Sequence, residues 1–206
     1  MVVLASGSGT NLQAILTAAA DGRLPALVTG VVTNRDGIRA LDRAALASVP
    51  TVVVTPRADE LRADYDHRLA DAVTAFDPDV VVLAGWMRIL TMSFLSRFQG
   101  RVVNLHPALP GELPGTHAID RAHAEFLDGT RRRTGVMVHL VPDEGVDVGP
   151  VLASCEVPMH AGDTLDLLAT RIHAAEHALL VDTLAHFVRS LPERTPDSEL
   201  HLASNP

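Results

Sequence analysis

An asparagine and a histidine two residues apart, Asn104 and His106, close the apolar run Arg101-Val102-Val103, and Pro107 ends it. Residues i and i+2 of an extended strand share a face, and proline stops a strand. "NLHP" is therefore a way to hold an amide and an imidazole side by side at the end of a sheet. An asparagine amide can stabilise a developing oxyanion, and an imidazole can move protons near neutral pH. A structural pair that satisfies loop carbonyls remains the plainer alternative. The loop "DEGVDVGP" carries Asp143, Glu144 and Asp147. A carboxylate there could orient His106, keep it more basic, or place a water; a solvated acidic turn would have the same spacing.

Two other segments could bind rather than react. "SGSGTN" follows the first apolar run and opens a helix. Gly7 and Gly9 allow a tight turn close to a ligand, and the free N–H groups of a helix start favour an anion such as phosphate. A dinucleotide site would want a third glycine where Leu12 stands, and an acidic residue where the second strand ends at Thr33-Asn34-Arg35. A P-loop would need a lysine. A monophosphate fits better, with Thr10 and Asn11 as added donors, although a plain glycine-rich turn is equally compatible. "GWMRIL", residues 85–90, offers a wide apolar surface and one arginine, suited to a flat aromatic ligand or simply to helix-start packing. His117, His123, His139, His160, His173 and His177 are too scattered to argue for a metal; His173 and His177 are one helical turn apart, with no third ligand evident.

These segments need a scaffold. Apolar runs at Met1 to Ala5, Leu27 to Thr33 and Thr51 to Thr55 alternate with helical stretches at Leu12 to Ala20, Ile38 to Ser48 and Leu61 to Phe76. In the last of these, Leu61, Tyr65, Leu69, Ala72 and Phe76 fall on one face. "PDVVVLAG" reads as a strand buried on both sides. The pattern predicts an α/β fold: an open, doubly wound, mostly parallel sheet with helices on both faces, Rossmann-like. Such sheets bind ligands beyond the C-terminal ends of their strands, where all of these polar segments lie. Thr134 to Val141 and Val151 to Val157 read as two further strands. A long helix follows, capped by Asp163 or Thr164. A single domain over residues 1–190 is expected, with a flexible tail over 191–206.

Bulk properties narrow the function. A hydrophobic content of 47% over 206 residues allows a large core. The net charge of −8 argues against nucleic acid and against an anionic membrane surface. All 17 basic residues are arginine, so lysine Schiff-base chemistry is excluded. One cysteine, Cys155, permits neither an internal disulfide nor a cysteine metal cluster. With no membrane-length apolar run and no signal-type start, the chain reads as cytoplasmic.

Taken in order, "VVLASGSGTNLQAI", "DPDVVVLAGWMRIL", "RVVNLHPALP", "PGTHAIDRA", "TGVMVHLV", "EGVDVGPVLA" and "AAEHALLVDTL" resemble the glycinamide ribonucleotide formyltransferase family of purine biosynthesis, one of the folate-dependent formyltransferases. The resemblance runs to about residue 188. It implies formyl transfer from the co-substrate 10-formyltetrahydrofolate to glycinamide ribonucleotide, with no metal. It implies small-molecule partners only, and it leaves a homodimer open. It implies that Asn104, His106 and Asp147 form the catalytic set. Gly9, Thr10, Asn11, Glu176 and His173 would hold the ribonucleotide and its phosphate. Arg62, Met87, Arg88, Ile89, Leu90, Val141 and Asp143, with Asn104, would line the folate site. The half at about 1–100 would serve the phosphate and the half at about 101–190 the folate and the chemistry. The chain departs from the family at "HPALPG", one residue shorter than usual, at "ELPG", which lacks the usual aromatic, and at Pro142, which lengthens the next loop by one. A folate hydrolase with a similar catalytic core, or a catalytically impaired homologue, is the alternative.

Overall fold

A computed structural model of the chain describes residues 1–192. The expected tail lies, from residue 193 onward, outside the described residues. The first half is a β/α alternation: β1 (Val2–Ala5), α1 (Thr10–Ala20), β2 (Gly30–Thr33), α2 (Arg39–Leu46), β3 (Thr51–Val53), α3 (Arg62–Thr74) and β4 (Val81–Leu83). A short α4 (Met92–Leu95) and one 3-10 turn lead to β5 (Val102–His106). Then come α5 (Ala118–Leu127), β6 (Arg133–Leu140), β7 (Val151–Pro158) and the long α6 (Leu165–Ser190). Thr164 is the α6 cap, its hydroxyl accepting from the Leu167 N–H at 3.3 Å.

The seven strands form one sheet in the order β3-β2-β1-β4-β5-β6-β7. The first five are parallel, and β6 and β7 run antiparallel. The parallel strands are mostly valine and leucine because helices cover both faces. On one face Val3, Ala5, Val31, Val82 and Val103 pack with residues of α1, α2, α5 and α6. On the other, Val2, Leu4, Val32 and Val102 pack with α3 and α4. The stripe of α3 differs from the expected one: Tyr65, Asp66, Leu69, Ala70 and Val73 are buried. Leu61 is 70% exposed because it precedes the first helical residue. None of the described helices is long and apolar enough to cross a membrane.

The strand order reverses direction between β1 and β4, and β5 lies next to β4. In a doubly wound sheet the crevice opens at that point. "SGSGTN", "GWMRIL" and "NLHP" leave the C-terminal ends of β1, β4 and β5, so the sheet brings all three segments to one edge.

Candidate active site

β5 stays extended through His106, which puts Asn104 and His106 on one face. The antiparallel neighbour β6 sets His139 directly opposite Asn104. The loop after β6 then carries Asp147 back over both. Asp147 holds a left-handed backbone, φ 55°, a conformation aspartate tolerates better than most residues. The cluster is tightly joined. Asp147 Oδ2 lies 3.3 Å from His106 Nδ1 and accepts the Gly115 N–H at 2.8 Å. Asp147 Oδ1 accepts from Asn104 Nδ2 at 3.1 Å and lies 3.5 Å from His139 Nε2. His139 Nδ1 lies 2.8 Å from the Leu140 carbonyl, and its Nε2 lies 3.0 Å from Asn104 Nδ2.

His106 is 3% exposed, and its Nε2 meets the Leu113 carbonyl at 3.0 Å. Burial pushes the imidazole below its ordinary value. Asp147 and the carbonyls of Leu113 and Glu112 pull it up without offsetting burial. For Asp147 burial raises the carboxyl, but the His139 hydrogen bond, the Gly115 N–H and the two imidazoles outweigh it and leave a lowered value.

These side chains border a cavity of about 420 Å³ whose walls include Met87, Arg88, Ile89, Leu90, Val141 and Asp143. Asn104, His106 and Asp147 line the same cavity. Leu90 is buried while Met87 and Ile89 are half-exposed at the mouth. An apolar slot with a few convergent polar groups suits a flat heterocycle. Arg62 does not line it. Its guanidinium holds the Ile89 carbonyl, at 3.2 Å from Nε, and so braces the wall. The Arg88 guanidinium lies over the Tyr65 ring, 4.7 Å from its centroid.

The glycine loop lies beside this cavity. The Ser6 hydroxyl accepts the Met87 N–H at 3.0 Å, and the Ser6 N–H donates to the Gly85 carbonyl at 3.2 Å. Gly9 precedes α1 at φ 70°, and a Cβ there would come 2.9 Å from Ala40; both facts demand glycine. Thr10 and Asn11 begin α1. Asn11 Nδ2 donates to Glu176 at 3.5 Å, and His173 Nδ1 bonds the same carboxylate oxygen at 2.7 Å. That bond raises the His173 imidazole against the opposing effect of burial. Gly9, Thr10, Asn11, His173 and Glu176 thus meet at one helix start.

Two residues of the site were not singled out by sequence reasoning. His139 was one of several scattered histidines; its signal is the strand register opposite Asn104. His117, at φ 57° before α5, lines the cavity mouth.

The sequence model of the formyl transferase family matches residues 1–184. A phosphoribosylglycinamide formyltransferase of Schizosaccharomyces pombe is 42% identical over 200 residues, covering 91% of this chain and 96% of that protein. The enzyme of the same name from Mycobacterium tuberculosis is 45% identical over 185 residues, covering 90% and 83%. The crystal structure of the Bacillus halodurans phosphoribosylglycinamide formyltransferase superposes with a TM-score of 0.86 at 35% identity, covering 92% of this chain and 95% of that one.

Proposed function

Since the chain belongs to the formyl transferase family, we propose that it transfers the formyl group of 10-formyltetrahydrofolate to the amine of 5'-phosphoribosylglycinamide in purine biosynthesis. The observation that carries the residue assignment is the convergence of Asn104, His106 and Asp147 on the wall of an apolar cavity. The folate occupies that cavity between the 87–90 segment, Val141 and Asp143, while Arg62 braces the loop on its tail side. The ribonucleotide phosphate sits on the N–H groups of Gly9, Thr10 and Asn11, and Glu176 with His173 contacts its ribose end. This gives residues 1–100 the phosphate and residues 101–190 the chemistry, in a cytoplasmic enzyme.

The acceptor amine attacks the formyl carbon and a tetrahedral oxyanion forms. The formyl oxygen takes one of the Asn104 N–H bonds now made within the cluster. His106, held below its ordinary value, begins neutral and accepts the proton the amine releases. The resulting imidazolium lies against Asp147 and stabilises the adduct. The carbon–nitrogen bond to the folate then breaks, and the proton passes to the departing folate nitrogen.

The test is formyl transfer followed by folate absorbance, with His106→Ala alongside. Folate product that requires the ribonucleotide, and a rate about 10²- to 10⁴-fold lower in the variant, is the expected result. Folate released without the acceptor would make the protein a hydrolase. No turnover by the wild type would make it an impaired homologue.

A further inference from the structure

We infer that Asp66, a residue outside the cavity, is a positioning residue that fixes the folate wall from behind and thereby sets affinity for the folate. The inference rests on the folate reading of the cavity given above.

Residues 85–91 form neither helix nor strand, so their backbone groups need partners from elsewhere. Side chains supply them. Ser6 accepts the Met87 N–H, Arg62 donates to the Ile89 carbonyl, and Asp66 Oδ2 accepts the Thr91 N–H at 2.6 Å. Just beyond, Glu144 accepts the Met92 N–H at 3.0 Å. Two of these supports, Arg62 and Asp66, come from the first turn or so of α3, one helical turn apart on one face. Tyr65, between them, carries the Arg88 guanidinium on its ring.

Asp66 is the costly member of the set. It is 1% exposed, and its neighbours along α3, Tyr65, Leu69, Ala70 and Val73, belong to the apolar core of that face. Among the described residues it pairs with no cation, and its Oδ1 accepts no hydrogen bond. A buried carboxylate with half its acceptors unused is unfavourable for folding, and an aliphatic residue would pack there at lower cost. What Asp66 does contribute is a charge-assisted hydrogen bond to the residue next to Leu90, the buried member of the cavity wall. It sets how far that wall stands from α3, and so the width of the slot.

Trp86 is the only tryptophan and lines the cavity, so its fluorescence reports occupancy directly. Tetrahydrofolate is titrated into the wild type, Asp66→Asn and Asp66→Ala, and KM for both substrates, kcat and Tm are measured beside it. Asp66→Ala should weaken the folate about ten- to hundredfold, the worth of a hydrogen bond to a charged group. Asp66→Asn, which keeps an acceptor for the Thr91 N–H, should lose less. KM for the ribonucleotide and kcat at saturation should stay near wild type. If the alanine variant does not fold, the isosteric asparagine variant carries the test. Wild-type affinity in the variants with only Tm lowered, or a parallel loss in kcat and in both KM values, overturns the inference. Absence of saturable quenching in the wild type overturns instead the folate reading on which it rests.

Discussion

His106 lies between two acceptors, Asp147 Oδ2 at Nδ1 and the Leu113 carbonyl at Nε2. Either neutral tautomer turns a lone pair toward one of them, and only the imidazolium satisfies both. Burial nevertheless keeps the ring below its ordinary value. In the proposed mechanism the residue is therefore a base before the reaction and a well-housed cation after it takes a proton. The neutral form being active, kcat is lost as pH falls through a midpoint below about 6.5. In Asp147→Asn that midpoint should move lower still, because a charge that raised it is gone. A pH–rate profile checks both, and a wild-type rate that falls as pH rises through the midpoint would make the resting imidazolium the active form. Asn104 and His106 were legible in the sequence because a strand needs only an i, i+2 spacing to pair them. Asp147 was not separable from Asp143 and Glu144 by spacing, and only the resemblance selected it. His139 could not be chosen at all before the β5–β6 register was known, since its partner Asn104 is 35 positions away.

The connection from β5 to α5, residues 107–117, is held from several sides. Leu109 packs over Gly135 of β6, where a Cβ would collide with Leu109 and with the Cys155 carbonyl. Glu112 pairs with Arg131, which also holds Glu125. The Pro114 carbonyl accepts from Arg121 at 2.9 Å, and Gly115 donates to Asp147. Leu113 is forced to φ 46°, a strained conformation for a bulky residue that persists only where its surroundings impose it. These contacts carry the Leu113 carbonyl to His106. Gly135→Ala should accordingly cost about 1–3 kcal/mol of stability by overpacking and should lower kcat more than either KM, because it displaces the turn that seats His106. Denaturant unfolding and steady-state kinetics check the two effects; unchanged kcat in a destabilised variant would mean the turn does not govern the imidazole. The sequence reading placed β1 to β4 and α1 to α3 because each has its own hydrophobic run or period; it assigned no helix to Met92–Leu95. It assigned no helix to Ala118–Leu127: the residue before it is His117 in a left-handed conformation with no side-chain cap, so the usual start signal is missing.

At the scale of the whole molecule, the sheet order puts the cavity and the glycine loop at one edge, and the histidines around them respond in opposite senses to pH. The folded state lowers His106 and His177, in both cases chiefly by burial. At these positions the unfolded chain binds more protons, so stability falls as pH drops through about 6.5. His173 is raised by its hydrogen bond to Glu176. Its contribution is fully present below about 6.5 and is lost as pH rises through the higher folded value. Glu176 also counters the burial of His177. One carboxylate, buried on α6 and bonded to Asn11 of α1, thus moderates the acid sensitivity of the whole fold, and it is the same residue proposed above to contact the ribonucleotide. Glu176→Gln removes both effects. Its Tm should fall more steeply than that of the wild type between pH 8 and pH 6, whereas His106→Ala should fall less steeply. Melting curves across that range decide the matter. Parallel pH slopes in wild type and Glu176→Gln would show that the His173–Glu176 pair does not couple to folding and serves the substrate alone.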